Sequence, residues 1–341
     1  MTSRERVINT LTFQNFNDRV PRDLWTLQWA EIHHPVEFAE IQNAFEWDIE
    51  RPPNILKDEP VTKGTPCALG EFVDEWGCVF TTAEEGIIGE VKTPPVRDED
   101  WDDAALVHIP DELLTFDPDA ANRFCAESDR FVMAPCCPRP FERLQFIRGT
   151  ADLYMDLLIR PPKMMEFIKR MHEHDCMLFE KWAKTDVDGL MFMDDWGSQN
   201  ALLINPDLWV ELFKPMYKDL IDIARAHGKK TFMHSDGNTL AIIPHLIELG
   251  LDALNAQIFC IGIKNLGQFK GHLTFWGEID RQHLLPTGTL KDIDAAVDLV
   301  FETLWQNGGC IAQCEFGLMG RPENVRRVYE RWSQKRGMNI R

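Results

Sequence analysis

The sequence predicts a closed (β/α)8 barrel of the TIM type, read as one domain over residues 1–341 with an insertion after the second strand. Three observations carry this. From residue 130 onward, six short β-rich runs alternate with helical runs, the rhythm of consecutive βα units on a parallel sheet. Two further strand signals upstream bring the count to eight, which favours closure into a barrel over an open doubly wound sheet. Residues 51–125, rich in Pro, Gly and acidic residues, fall outside the rhythm.

The upstream strands are "RVPRDLW" (19–25) and "FEWDIE" (45–50). The stretch from 51 to 125 ("ERPPN", "KGTPCALGEF", "KTPPVRDEDWDDA") reads as an insertion forming a lid, a hairpin layer over the barrel mouth. The remaining strands are "RFVMAP" (130–135), "DGLMFM" (188–193), "KKTFMH" (229–234), "DALNAQ" (252–257), "LTFWG" (273–277) and "GGCIAQ" (308–313). They are apolar on both faces, as parallel strands buried under helices are. Between them, residues 161–184 place Met164, Met165, Ile168, Met171, Leu178, Phe179 and Trp182 at helical spacing, a core stripe. Another helix opens at Asn205 and Pro206 and closes at Gly228, with a kink expected at Pro215.

Composition narrows the function. Lys plus Arg total 36 against 55 Asp plus Glu, a formal charge of −19 that repels nucleic acid and anionic membrane. No apolar run approaches the roughly 18 residues of a membrane span, and the N-terminus lacks a signal-peptide core, so a cytoplasmic protein is expected. Nine cysteines without a secretion signal do not form a disulfide framework. A homodimer is left open.

In such a barrel the chemistry sits at the carboxyl ends of the strands. The residues there are Trp25, Asp48, Cys136, Cys137, Asp194, Asp195, Trp196, Gln199, His234, Asp236, Asn255, Gln257, Glu278, Asp280, Cys314 and Glu315. The segment "KTFMHSDGNTL" has two readings. In one, Ser235, Asp236 or Asn238 caps a helix starting near Thr239 and His234 is a satisfied polar residue. In the other, His234 and Asp236 join Cys314 of the last strand, three zinc-ligand types with a fourth position left for substrate or water. Cys310, four residues before Cys314, is a reserve ligand.

The segments "DDWGSQNALLINPDLWVELFKPMYKDLIDIARAHGKKTFMHSDG", "IIPHLIELGLDALNAQ", "FWGEIDRQHLLPTG" and "GGCIAQCE" resemble the uroporphyrinogen decarboxylase superfamily, which includes cobalamin-dependent methyltransferases. The resemblance covers about residues 1–335, is strongest over 185–316, and implies a (β/α)8 barrel. In the methyltransferase branch a His-x-Cys pair and a later Cys bind zinc. Here His234 and Cys314 match that pattern, and Asp236 stands where the first cysteine would be. An Asp ligand makes a harder, more Lewis-acidic zinc, suited to polarising an ether oxygen. The resemblance thus implies methyl transfer from a small O-methylated donor to a corrinoid (cobalamin) held by a partner protein, since this chain has no Asp-x-His-x-x-Gly corrinoid segment.

The rival reading is a decarboxylase-type lyase acting on a tetrapyrrole. The Gly-Arg-Tyr segment of those enzymes is absent from "VPRDLWTLQWAEIHHP", which leaves Arg22 alone near the strand. A third reading is a non-catalytic tetrapyrrole or corrinoid carrier. For the methyltransferase, Glu278 and Glu315 are candidates for proton handling, while for the decarboxylase Asp48 is the candidate catalytic acid, placed where an acidic residue could hold the pyrrole nitrogens. Trp25, Trp76, Trp196 and Gln199 are candidates for a substrate wall, with Asp194, Asp195, Asn255 and Gln257 as hydrogen-bonding substrate contacts.

Overall fold

Along the chain the strands are β1 (Arg22–Thr26), β2 (Ile49–Glu50), β3 (Gly70–Val73), β4 (Val79–Thr82), β5 (Glu90–Val91), β6 (Phe131–Val132), β7 (Gly189–Met193), β8 (Lys230–Ser235), β9 (Ala253–Ala256), β10 (Thr274–Trp276) and β11 (Cys310–Phe316). They come from a computed structural model that describes residues 1–336. Six strands form one parallel sheet in the order β1-β11-β10-β9-β8-β7. β2 pairs in parallel with β6. The ring is completed by a parallel bridge between Met133 and Gly189, which joins β6 to β7, and by the Asp48 amide donating to the Arg22 carbonyl at 2.9 Å, which joins β2 to β1. The result is the (β/α)8 barrel, with every strand inside or overlapping its expected stretch.

The helices that position the site are α1 (Ser3–Leu11), α2 (Pro140–Arg148), α3 (Pro162–Ala183), α4 (Pro206–Leu212), α5 (Lys214–Ala226), α6 (Ile243–Leu249) and α7 (Pro322–Trp332). α3 buries Met164, Phe167, Met171, Leu178 and Trp182 along one stripe against the sheet. The segment from Asn205 to Gly228 is two helices rather than one kinked helix. Pro215 has no amide hydrogen to continue the ladder, and the chain breaks at Phe213.

Alternation along the parallel strands sorts side chains into two cores. Ile49, Phe131, Met133, Met191, Phe232, Ala253, Trp276 and Ile311 fill the barrel interior, joined by Val7 and Leu11 of α1. The residues between them, such as Phe192, Met233, Leu254, Phe275 and Ala312, pack outward under the helices. β3, β4 and β5 form an antiparallel three-stranded sheet within the insertion. The irregular stretch ends at Asp117, whose carboxylate caps the helix Pro118–Glu127 leading into β6.

Asp48 is not at the mouth. The strand it was assigned to starts one residue later, at Ile49, so Asp48 lies at the amino end of the barrel. There its fully buried carboxylate is held by the Arg6 and Arg19 guanidiniums and accepts the Arg22 amide at 2.7 Å. A carboxylate with two buried cations on the face opposite the strand carboxyl ends is a structural ion cluster, not a catalytic acid.

Candidate active site

The mouth is assembled by two loops that interlock backbone to backbone. After β7 the chain reads Asp194-Asp195-Trp196-Gly197, and after β8 His234-Ser235-Asp236-Gly237. The Gly197 amide donates to the Asp236 carbonyl at 3.0 Å and the Asn238 amide to the Ser198 carbonyl at 2.8 Å. No side chain fits between them: a Cβ on Gly237, which has φ +75°, would stand 2.0 Å from the Gly197 carbonyl oxygen. Gly237→Ala is therefore expected to destabilise the fold by at least ~1–3 kcal/mol, read by denaturant unfolding, and wild-type stability would show the contact to be slack.

This interlock brings Asp195, His234 and Asp236 together, with one ligand atom from each lying within 4.8 Å of the others. His234 Nε2 is 3.5 Å from Asp195 Oδ1 and 3.5 Å from Asp236 Oδ1. The far side of the imidazole is fixed: Nδ1 lies 2.6 Å from Asn255 Oδ1, while the Asn255 amide nitrogen donates to the Trp276 carbonyl. Because that Asn oxygen only accepts, Nδ1 carries hydrogen and Nε2 faces the carboxylates. Burial alone would lower the His234 pKa, but Asp195 and Asp236 outweigh it and push it up to about 9. Trp25 packs on the imidazole with ring centroids 5.0 Å apart.

Arg281, which the sequence reading did not single out, binds the remaining acids of the mouth. Its guanidinium pairs with Asp236 Oδ2, with Glu315 at 3.1 Å and with Glu278 at 3.5 Å. Its signal was available: several carboxylates at one mouth require a cation, and Arg281 sits three residues after Glu278. Burial pushes the Glu278 carboxyl up to about 8, with Arg281 pulling it down and Asp236 and Glu315 adding to the rise. The native protein thus holds a proton that the unfolded chain releases near 4.5, so this group's stability is full below that pH and is lost as pH rises to about 8. Glu278→Gln is expected to gain stability over wild type across that window and to level off above it, as denaturant unfolding in a chelator would show.

The structure corrects several site expectations. Cys314 faces the wrong way: Trp25 pairs with Glu315 and Leu24 with Cys314, so Glu315 points into the barrel and Cys314 outward. Its thiol lies 3.6 Å from the Tyr329 hydroxyl of α7, buried in the outer core, and burial pushes its pKa up to about 12. Cys310 shares that outward parity and serves no ligand role. Asp194 points outward too, accepting the Phe141 amide at 2.8 Å and the Glu142 amide at 2.7 Å at the start of α2, and the Tyr217 hydroxyl. Trp196 is fully buried under the helices, stacked on Phe141 at 4.0 Å, and lines no substrate wall. The capping reading holds for Asn238 alone, whose Oδ1 accepts the Leu240 amide at 3.3 Å at the start of the turn that leads into α6, while α6 itself begins at Ile243 without a side-chain cap.

The other candidates stand around the mouth in different roles. Gln257 accepts the Gly237 amide at 3.0 Å and steadies the interlock. Gln199 donates to Gln282 at 3.1 Å on the rim. Asp280 accepts the amides of Gln282 and His283 in the turn that presents Arg281. Trp76 lies in the insertion, edge-on to His174 at 6.0 Å, and with Cys136 and Cys137 lines a cavity of about 680 Å³ between the insertion, β6 and α3. Arg139 and Glu142, paired at 2.7 Å, line that cavity and also feel the charges of Asp195 and His234. A second His/Cys/Asp cluster, His172, Cys176 and Asp219, lies on α3 and α5, away from the mouth.

Asp195, His234 and Asp236 fit a divalent cation. Separations of 3.5 Å are close to those between neighbouring ligands on a tetrahedral ion with bonds of about 2.1 Å. Asp236 Oδ1 is buried without a hydrogen-bond partner, as is Glu278 Oε2, which leaves both oxygens free to meet an ion or a substrate atom. Fold and site together define a β/α-barrel protein whose chemistry is gathered at the carboxyl mouth of its strands. The family model described as Uroporphyrinogen decarboxylase (URO-D) matches residues 73–333, and the chain belongs to that family. A methyltransferase from Methanosarcina mazei shares the fold, with a TM-score of 0.70 and 14% identity over 98% of this chain and 99% of that one. The intracellular xylanase of Thermoanaerobacterium saccharolyticum (TM-score 0.38, 12% identity, 90% of this chain and 88% of that one) is too distant to bear on function. No curated protein matches significantly. Among the described residues no helix is long and apolar enough to cross a membrane.

Proposed function

We propose that the protein is a methyltransferase of the uroporphyrinogen decarboxylase superfamily, moving a methyl group from a small O-methylated donor to a corrinoid carried by a partner protein. The observation that supports it most is the convergence of Asp195, His234 and Asp236 at the barrel mouth. Family membership and the shared fold of the methyltransferase from Methanosarcina mazei support the same reading. Those three residues would hold zinc, with Asp195 in the place first given to Cys314. Zinc bound there supplies Lewis acidity toward an ether oxygen. Asn255 fixes the His234 ring, and Arg281 neutralises Glu315 and the outer oxygen of Asp236. Glu278, protonated at neutral pH, is placed to give a proton to the departing oxygen from Oε2, which has no other partner. Trp25 shields the imidazole from water.

The test is metal analysis of protein purified without chelator, followed by mixing with O-methylated compounds and a reduced corrinoid protein. Bound zinc, its loss in His234→Ala and the absorbance of the methylated corrinoid are expected. Zinc-free wild type with no difference in His234→Ala would remove the reading. The carboxy-lyase alternative has one observation in its favour: Arg51, at the carboxyl end of β2, forms no ion pair among the described residues and lies against the sulfurs of Met133 and Met191 at 3.4 and 3.6 Å. Carbon dioxide release from a porphyrinogen would select it, and tight tetrapyrrole binding without turnover would select a carrier.

A further inference from the structure

The cavity between insertion and barrel contains polar groups that the proposed chemistry does not use. Its volume, about 680 Å³, falls in the roughly 300–1,000 Å³ range of small-molecule sites. Phe72, Trp76, Phe80 and Trp182 contribute its aromatic wall. Five charged groups in it are already paired within the protein: Arg139 with Glu142, and Arg143 with Asp74 and, at 3.4 Å, Glu75. His174 and Asp175 of α3 have only each other as charged partners among the described residues, at a distance too long for a good hydrogen bond. They are 2% and 5% exposed, and His174 Nδ1 is a buried atom without a hydrogen-bond partner. Asp175 accepts no hydrogen bond from any described residue, and its nearest cation is His174 Nδ1 at 3.8 Å.

The spacing and chemistry of this pair select a ligand group. His174 Nε2 lies 3.1 Å from the Pro110 carbonyl, which only accepts, so Nε2 carries hydrogen and Nδ1 is the atom turned toward Asp175. At 3.8 Å the two are too far apart to bond each other well, yet close enough for one oxygen to reach both. The imidazole pKa is raised: burial opposes this, but Asp175 and the Pro110 carbonyl outweigh it. With an acceptor facing each ring nitrogen, the Pro110 carbonyl at Nε2 and the Asp175 carboxylate at Nδ1, the imidazole is set to donate on both sides, so Nδ1 offers a donor next to the Asp175 acceptor. A hydroxyl satisfies both at once, whereas an ammonium can only donate and a methoxyl can only accept.

We propose that this cavity binds a small aromatic molecule through a ring hydroxyl that donates to Asp175 and accepts from His174 Nδ1, the ring lying among Phe72, Trp76, Phe80 and Trp182. As the pocket of the methyl donor, making that donor a methoxyphenol, the inference rests on the methyl-transfer reading. The binding itself does not, and it is tested without corrinoid protein. The full chain is titrated calorimetrically with 2-methoxyphenol and with 1,2-dimethoxybenzene, which lacks the hydroxyl. The wild type is expected to prefer 2-methoxyphenol by about tenfold or more, because the analogue leaves buried polar groups unpaired. Asp175→Asn, with its melting temperature checked, is expected to erase that preference, and Leu178→Trp, which fills the cavity, to remove binding of both probes.

Equal affinities in the wild type, no binding of either probe, or an intact preference in folded Asp175→Asn would overturn the site. If Asp175→Asn does not fold, the wild-type His174 ring resonances decide: they shift on adding 2-methoxyphenol and stay put with 1,2-dimethoxybenzene, and the absence of such a shift refutes the contact. His234→Ala should keep the probe preference. Preference without methyl transfer therefore rejects the transfer reading alone, and transfer without preference rejects the cavity alone.

Discussion

Asp195→Asn is expected to strip the proposed zinc from the protein and to lower methyl transfer by more than about a hundredfold, beyond the ~10- to 100-fold cost of losing a supporting outer partner. Asn keeps the side chain's size, and its remaining carbonyl oxygen can still accept the Asp236 amide that Asp195 Oδ1 holds at 3.0 Å, so the loop should survive. What disappears is the negative charge beside His234 Nε2. Cys314→Ser is the paired control. Its thiol lies behind the strand against Tyr329, so metal content should match wild type and only stability should fall, by about 1 kcal/mol. Mass-spectrometric metal analysis of dialysed proteins reads both. Zinc retained in Asp195→Asn and lost in Cys314→Ser would reverse the ligand assignment.

Asp48→Ala is expected to cost about 3–5 kcal/mol, a large share of the roughly 5–15 kcal/mol that holds a typical protein folded. The carboxylate has no exposed surface, and Arg6 and Arg19 are 8% and 13% exposed in their side chains, so removing it takes the shared partner from two poorly hydrated cations and leaves each with one carboxylate nearer the surface, Asp18 at 3.0 Å and Glu46 at 2.9 Å. The Arg22 amide loses its acceptor as well. Urea unfolding measures the loss. Activity per folded molecule should be unchanged, since the cluster lies at the end of the barrel opposite Asp195 and His234. A variant as stable as wild type but inactive would restore Asp48 to the chemistry.

The barrel was legible because its signal repeats. Eight apolar runs separated by helices leave few other architectures, and each run overlaps its strand. Side-chain parity was not legible. Strands covered on one face by helices and on the other by the barrel interior are apolar on both, so the pattern around Cys314 or Asp194 does not reveal which residues turn inward. Pairing with β1 does reveal it: Trp25 beside Glu315 puts the acid inside and the thiol out. One residue decides between Asp194 and Asp195 in the same way, with Met191 in the interior core and Met193 packed against it fixing the phase. Asp48 was misplaced because the stretch read as a strand, 45–50, starts before the strand does: β2 begins at Ile49, so Asp48 precedes it and lies at the amino end of the barrel. His174 and Asp175 lie inside a helix whose apolar stripe explained it adequately, and only the fold shows that the insertion leaves room above them.

The junction of Gly197 and Gly237 also bears on how such a protein can diversify. Asp195 and Asp236 hang from two backbones in direct contact, so thermal motion carries them together and their spacing stays constant. The aromatic wall, by contrast, is shared with β3 and β4, on a segment that enters and leaves the barrel between β2 and β6. Mutations there can reshape what is admitted without disturbing the reactive trio. On the proposed reading, exchanging residues 51–117 between relatives would replace Phe72, Trp76 and Phe80 of the wall while keeping both the trio at the mouth and the His174–Asp175 pair of α3.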